Sequence, residues 1–94
     1  GADVVLYGNV YDEACEEALR LAKEKGYTFV HPFDDLEVAT GQGTVGMEVF
    51  DELPDVDIIL VPIGGGGLAC GVAALAKMIN PKVRVIGVEP AGIY

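Results

Sequence analysis

The chain is poor in metal-binding residues and in positive charge. It has one histidine, His31, and two cysteines, Cys15 and Cys70, far apart and with no C-x-x-C pair or Cys/His cluster. A structural zinc site needs about four such ligands at close spacing, so that class is excluded. Each cysteine falls in an apolar helical pattern and reads as a reduced thiol in or near a core rather than half of a disulfide. Lysine and arginine number 6 against 15 acidic residues, a formal net charge of −9. Such a chain lacks the basic face that nucleic acid or an anionic membrane surface requires. Long hydrophobic runs are missing too. None approaches the roughly 18 residues of a membrane span, and no signal peptide opens the sequence. The expectation is a soluble, cytoplasmic protein.

Apolar side chains and glycine are abundant instead. Hydrophobic residues make up 51% of the 94, which supports a buried core and the size of one domain or a piece of one. Four of the 13 glycines are consecutive, Gly64-Gly65-Gly66-Gly67, and Leu68-Ala69 follows them. The run before them, Ile58-Ile59-Leu60-Val61-Pro62-Ile63, reads as a buried strand, and residues 68–79 read as a helix. Glycine lets backbone amides approach an anion that any side chain would hold off. A glycine loop feeding a helix N-terminus aims free N–H groups and the positive end of the helix dipole at one point, which is a phosphate cradle. It needs no lysine or arginine, so an acidic chain can carry it.

Strand and helix signals alternate along the chain. Val4-Val5-Leu6-Tyr7 is a short strand. Residues 11–25 are a helix, with Asp12 as candidate N-cap and the stripe Ala14, Cys15, Ala18, Leu19, Ala22. Acidic residues crowd its start and basic ones its end, and Gly26 stops it. Tyr27-Thr28-Phe29-Val30-His31 is a second strand, closed by Pro32. Residues 34–39 read as loop with a short helical turn. Gly41 and Gly43 read as a tight turn opening a helix over about 44–53, with Thr44 as its N-cap. The third strand covers 57–63, and the fourth covers 83–88 with Glu89-Pro90 at its carboxyl end. This βαβαβαβ order predicts an α/β fold with four strands in a parallel, three-layer sheet. Ligands of such sheets bind beyond the carboxyl ends of the strands, where the glycine loop lies. The stretch 34–43 is the only plausible seam between domains.

Two readings of the loop compete. Gly64-x-Gly66-x-x-Ala69 fits the dinucleotide fingerprint, and Glu89, 20 residues past Ala69, stands where an acidic residue would hold a ribose hydroxyl. That alternative makes the chain an NAD-type binding module. The second reading uses more of the sequence. G-A-D-V-V-L-Y-G, the Tyr11-Asp12-Glu13-Ala14 helix start, His31-Pro32-Phe33-Asp34, Gly41-Gln42-Gly43-Thr44, V-P-I-G-G-G-G-L and V-I-G-V-E-P occur in order. Together they resemble the fold-type II pyridoxal-phosphate enzymes, closest to threonine deaminases (threonine ammonia-lyases), with serine racemase and serine dehydratases nearby. The resemblance runs from Gly1 to Pro90.

That resemblance implies roles. The amides of Gly64, Gly65, Gly66, Gly67 and Leu68 would hold the phosphate of pyridoxal 5'-phosphate. The reaction would be dehydration and deamination of L-threonine, or of serine, to a 2-oxo acid and ammonia. With threonine the product is 2-oxobutanoate, on the route to isoleucine. Residues 1–39 would be the second part of a small mobile domain and 40–94 an early part of the large cofactor-binding domain, in a homo-oligomer. The family's cofactor-binding lysine sits in a Ser-Phe-Lys type motif that this chain lacks. Lys23, Lys25, Lys77 and Lys82 read as surface charge. No catalytic residue is therefore assigned, and the expectation is an internal fragment that is inactive alone. In serine racemase a glutamate like Glu89 helps bind a divalent cation, with a partner aspartate that would fall just past Tyr94. Glu89 thus has three readings: cation ligand, ribose ligand, or a strand-end carboxylate in water. A third class of function stays open, a non-catalytic folded module that associates with itself.

Overall fold

The computed structural model describes residues 1–92, which fall into two compact units, Gly1–Val30 and a second beginning at His31. The first unit holds one helix, α1 (Tyr11–Lys25), with the bounds that its stripe and charge gradient predict. Its cap differs from expectation: the N-cap residue is Val10, not Asp12, and its side chain accepts nothing. Glu13 Oε2 instead accepts from the N–H of Asn9, the residue before the cap, at 2.8 Å, which ties the incoming chain to the first turn. Gly26 ends α1 at φ +72°, and the next N–H, that of Tyr27, reaches back to the Ala22 carbonyl at 2.9 Å.

Residues 4–7 and 27–31, predicted as the first two strands, form neither strand nor helix and belong to no sheet. A strand is defined by the ladder it shares with a neighbour. Among the described residues neither segment has one, and Val4 and Leu6 stand 79% and 91% exposed.

The second unit contains α2 (Leu36–Glu52), β1 (Ile58–Pro62), α3 (Gly67–Ile79) and β2 (Arg84–Val88). β1 and β2 pair in parallel, from Ile58 opposite Arg84 to Pro62 opposite Val88, and α3 is the crossover between them. The α/β character and the parallel pairing are as expected. The described residues supply two of the four predicted strands and cover one face of the sheet. Ile59 and Val61 point into a core with Phe50, Val72, Ala76 and Val83, while Ile58 and Leu60 on the other face are exposed. Each fully buried side chain of this size stabilises the fold by about 1.5–3 kcal/mol. At the far end of α3, Lys77 Nζ donates to the carbonyls of Val83 and, at 3.3 Å, Pro81, which ties down the turn into β2.

α2 starts at Leu36 rather than near Thr44. Asp35 caps it, Oδ1 accepting from the N–H groups of Glu37 at 2.8 Å and Val38 at 3.2 Å. Thr44 is therefore not an N-cap; its hydroxyl donates to the Gly41 carbonyl inside the helix. Gly41 and Gly43 form no turn either. Gly43 and Gly46 lie where α2 meets α3. A Cβ on Gly71 would come within 2.2 Å of the Ala39 carbonyl oxygen and 2.8 Å of the Gly43 nitrogen. The two helices thus touch backbone to backbone, which is why glycines occur in a helix despite costing about 1 kcal/mol each relative to alanine.

Two substitutions test this packing by their opposite signs in urea unfolding. Gly71→Ala overpacks the crossing and should lower the unfolding free energy by about 2 kcal/mol. Gly41→Ala adds a Cβ that meets nothing within 4 Å and should raise it by up to about 1 kcal/mol. A loss of stability at Gly41→Ala would restore the turn assignment.

Candidate anion-binding site

β1 ends at Pro62, and the Ile63 N–H donates to the Val88 carbonyl at 2.9 Å, so the sheet holds the chain up to the first glycine. Residues 64–66 form the bend, Gly66 is the N-cap of α3 at φ +99°, and the first helical hydrogen bond runs from the Cys70 N–H to the Gly66 carbonyl at 2.8 Å. The N–H groups of Gly64 through Ala69 make no hydrogen bond to another described residue. They are the orphan donors of a helix start together with those of the bend leading into it. All five residues named from the sequence, Gly64, Gly65, Gly66, Gly67 and Leu68, are thus brought together at the carboxyl end of a parallel strand.

The four glycines are not equivalent. Gly66 needs its positive φ, a region that costs an L side chain about 1–2 kcal/mol. Gly65 and Gly67 are forced by close approach: added Cβ atoms would lie 2.1 Å from the Phe33 ring and 2.9 Å from the Phe33 Cα. Gly64 has neither reason. Its φ is ordinary and a Cβ there would meet nothing within 4 Å. The fold alone would accept alanine at this position, so its lack of a side chain fits a ligand approaching from outside. The loop is open at Gly64 and Gly66 and backed by Phe33 at Gly65 and Gly67. A phosphate group fits this donor set, since every donor is a neutral N–H and the helix dipole adds partial positive charge.

Phe33 was not singled out by the sequence, although it sits in the quoted His31-Pro32-Phe33-Asp34 run. The available signal was a large aromatic side chain in an otherwise polar, proline-containing loop. The sequence pattern makes His31 a strand-end residue. Its Nδ1 instead accepts from the N–H groups of Phe33 at 3.2 Å and Asp34 at 2.8 Å.

Glu89 follows β2 directly, at the same carboxyl end of the sheet as the loop, and is exposed. Among the described residues no group of three His, Cys, Asp or Glu side chains could hold a metal ion, so these residues alone do not make Glu89 part of a metal site. Cys15 and Cys70 are free thiols, and Cys70 is exposed in the first turn of α3 rather than packed. Lys77 lies in the last turn of α3 and Lys82 in the turn that follows it, at the opposite end of the helix from the loop. In the first unit a cleft of about 400 Å³ is lined by Tyr7, Gly8, Glu13, Glu16, Glu17 and Arg20. Its carboxylates repel anions, and its one guanidinium, that of Arg20, is already paired with Glu17 in the lining and with Glu24 outside it. No helix of the described residues is long and apolar enough to cross a membrane.

Residues 1–93 match the family described as "Pyridoxal-phosphate dependent enzyme". An L-threonine ammonia-lyase of Thermotoga maritima is 54% identical over 89 residues, covering 95% of this chain and 22% of that protein. An L-threonine ammonia-lyase of Geobacter sulfurreducens is 57% identical over 91 residues, covering 97% and 23%. The processed form of threonine deaminase isoform 2 from Solanum lycopersicum superposes with a TM-score of 0.81 at 49% identity, covering 96% of this chain and 25% of that one. The chain therefore spans about a quarter of the length of the relatives it matches.

Gly64→Ala separates a ligand's requirement from the fold's. Thermal melting should be unchanged, while affinity for a phosphorylated ligand, read by calorimetry, should fall about tenfold or more. Gly66→Asp should abolish binding by placing a carboxylate beside the amides. Unchanged affinity in both variants would remove the loop from the site.

Proposed function

The chain belongs to the family of pyridoxal-phosphate-dependent enzymes, and we propose that it is the phosphate-anchoring part of a threonine deaminase. The observation that carries this reading is the row of N–H groups from Gly64 to Leu68 at the start of α3 that bond to no other described residue, on a loop whose first glycine the described fold does not need. The names of the similar proteins, threonine ammonia-lyases and a threonine deaminase, supply the substrate.

Pyridoxal phosphate, when bound, supplies an electron sink for bond cleavage at the α-carbon of an amino acid. This chain's part is to bind and orient. The amides of Gly64, Gly65, Gly66, Gly67 and Leu68 would hold the phosphate as charge-assisted donors. The α3 dipole would favour the dianion without adding a countercharge that binds other anions from solution. β1 and β2 fix the loop's height above the sheet, and the glycine-tight crossing of α2 on α3 fixes the helix direction.

None of this chain's groups is assigned a proton-transfer or covalent role. Lys77 is engaged with two backbone carbonyls at the wrong end of α3. The reading therefore divides labour: anchoring here, covalent attachment of the cofactor elsewhere in the complete protein. With threonine as substrate the products are 2-oxobutanoate and ammonia, which places the protein in amino-acid metabolism on the route to isoleucine.

The complete protein containing this chain should release ammonia and 2-oxobutanoate from L-threonine with one pyridoxal phosphate per chain, and the 94-residue chain alone should release none. A coupled assay for the 2-oxo acid, run in parallel on L-serine, measures the preference. Turnover by the isolated chain would refute the division of labour. Saturable binding of NAD in place of pyridoxal phosphate, lost on Glu89→Ala, would establish the dinucleotide reading instead.

A further inference from the structure

The turn before α2 reaches across to the glycine loop, and its construction is specific. His31 Nδ1 accepts two successive backbone N–H groups, those of Phe33 and Asp34, so the imidazole acts as an Asx-type acceptor that closes the turn. The imidazole also meets the Phe33 ring edge-on, with centroids 4.5 Å apart at 88°. Asp35 then caps α2, so the turn is fixed at both ends. Phe33, held this way, lies with its ring against Gly65 and its backbone against Gly67. The contacts alternate along the loop: positions 65 and 67 face Phe33, while positions 64 and 66 face open space.

Four consecutive glycines would by themselves be the most flexible segment a chain can have. A phosphate site needs the opposite, donors already converged before the ligand arrives, because ordering them on binding subtracts from affinity. Gly65 and Gly67 have no side chains with which to order themselves. The order must come from a neighbour, and Phe33 is the neighbour in contact with both.

We propose that Phe33, held by His31, is a positioning residue for the cofactor phosphate: it backs the glycine loop and sets the convergence of the Gly64–Leu68 amides without touching the phosphate itself. This rests on the cofactor reading above and adds to it the element that gives the loop its shape. It also explains why the tetraglycine carries two kinds of glycine, two that admit Phe33 and two that face outward.

The test is a pyridoxal-phosphate titration of the complete apoprotein, with the phosphorus NMR signal of the bound cofactor as second readout. Phe33→Ala should raise the dissociation constant about tenfold or more and shift the phosphorus signal, with a smaller effect on the melting temperature of the apoprotein. Phe33→Leu should recover part of the affinity. His31→Asn keeps an acceptor for the two N–H groups and should bind nearly as wild type, whereas His31→Leu should resemble Phe33→Ala. Gly65→Ala should lose affinity in the wild-type background and lose much less in the Phe33→Ala background, where the clash is gone. If wild type binds and every Phe33 variant binds equally well, or if Gly65→Ala costs the same in both backgrounds, this proposal is overturned and the cofactor reading stands. If wild type binds neither pyridoxal phosphate nor inorganic phosphate, the cofactor reading falls and this proposal falls with it.

Discussion

Backbone meeting matter with no Cβ between is the constraint on which this molecule depends. It acts at two places joined by one helix. Where α2 crosses α3, the missing Cβ of Gly71 lets the Ala39 carbonyl and the Gly43 nitrogen pack against the helix itself. At the other end of the same contact path, the missing Cβ atoms of Gly65 and Gly67 let Phe33 pack against the loop that begins α3. The first contact fixes the direction of α3, and the second fixes the loop from which its orphan N–H groups project. Ordinary side-chain packing at either place would need the backbones to move apart and would shift the helix start.

Charge works differently at the two scales of this protein. The chain as a whole is strongly acidic, which disfavours anions at long range. The loop has no basic side chain of its own, and in the proposed role its attraction for an anion would come from backbone dipoles acting over a few ångströms. Long-range repulsion is screened beyond roughly 8 Å at physiological salt, whereas hydrogen bonds inside the loop are not. A site of this type selects by shape and donor count rather than by charge.

Much of this was legible from the sequence, and the reasons differ by element. α1 was readable to both ends because its signals are local: a stripe, a charge gradient and Gly26. The strand–glycine–helix core of the site was readable for the same reason, as apolar periodicity switches across an interruption that only glycine explains. α2 was misjudged because Gly41 and Gly43 are turn-formers by local preference, and only the partner helix reveals that two of its glycines serve packing. The strands at 4–7 and 27–31 were overstated because strand character is a property of pairs, and no ladder partner is present among the described residues. Phe33 was missed because what it backs lies more than thirty positions away, and nothing local marks a loop aromatic as a support. The glycine loop is marked by local chemistry; its contact with Phe33 is tertiary.

The central claim is that main-chain N–H groups of residues 64–68 are the anion donors. Backbone amide NMR of the isotope-labelled 94-residue chain, titrated with inorganic phosphate against a chloride control of equal ionic strength, tests it most directly. The account predicts saturable shifts concentrated on Gly64 to Leu68, with the first turn of α3 moving less. Shifts concentrated instead on the backbone amides around Arg20, Lys23 and Lys25 of α1, or none in the glycine loop at saturating phosphate, would contradict it.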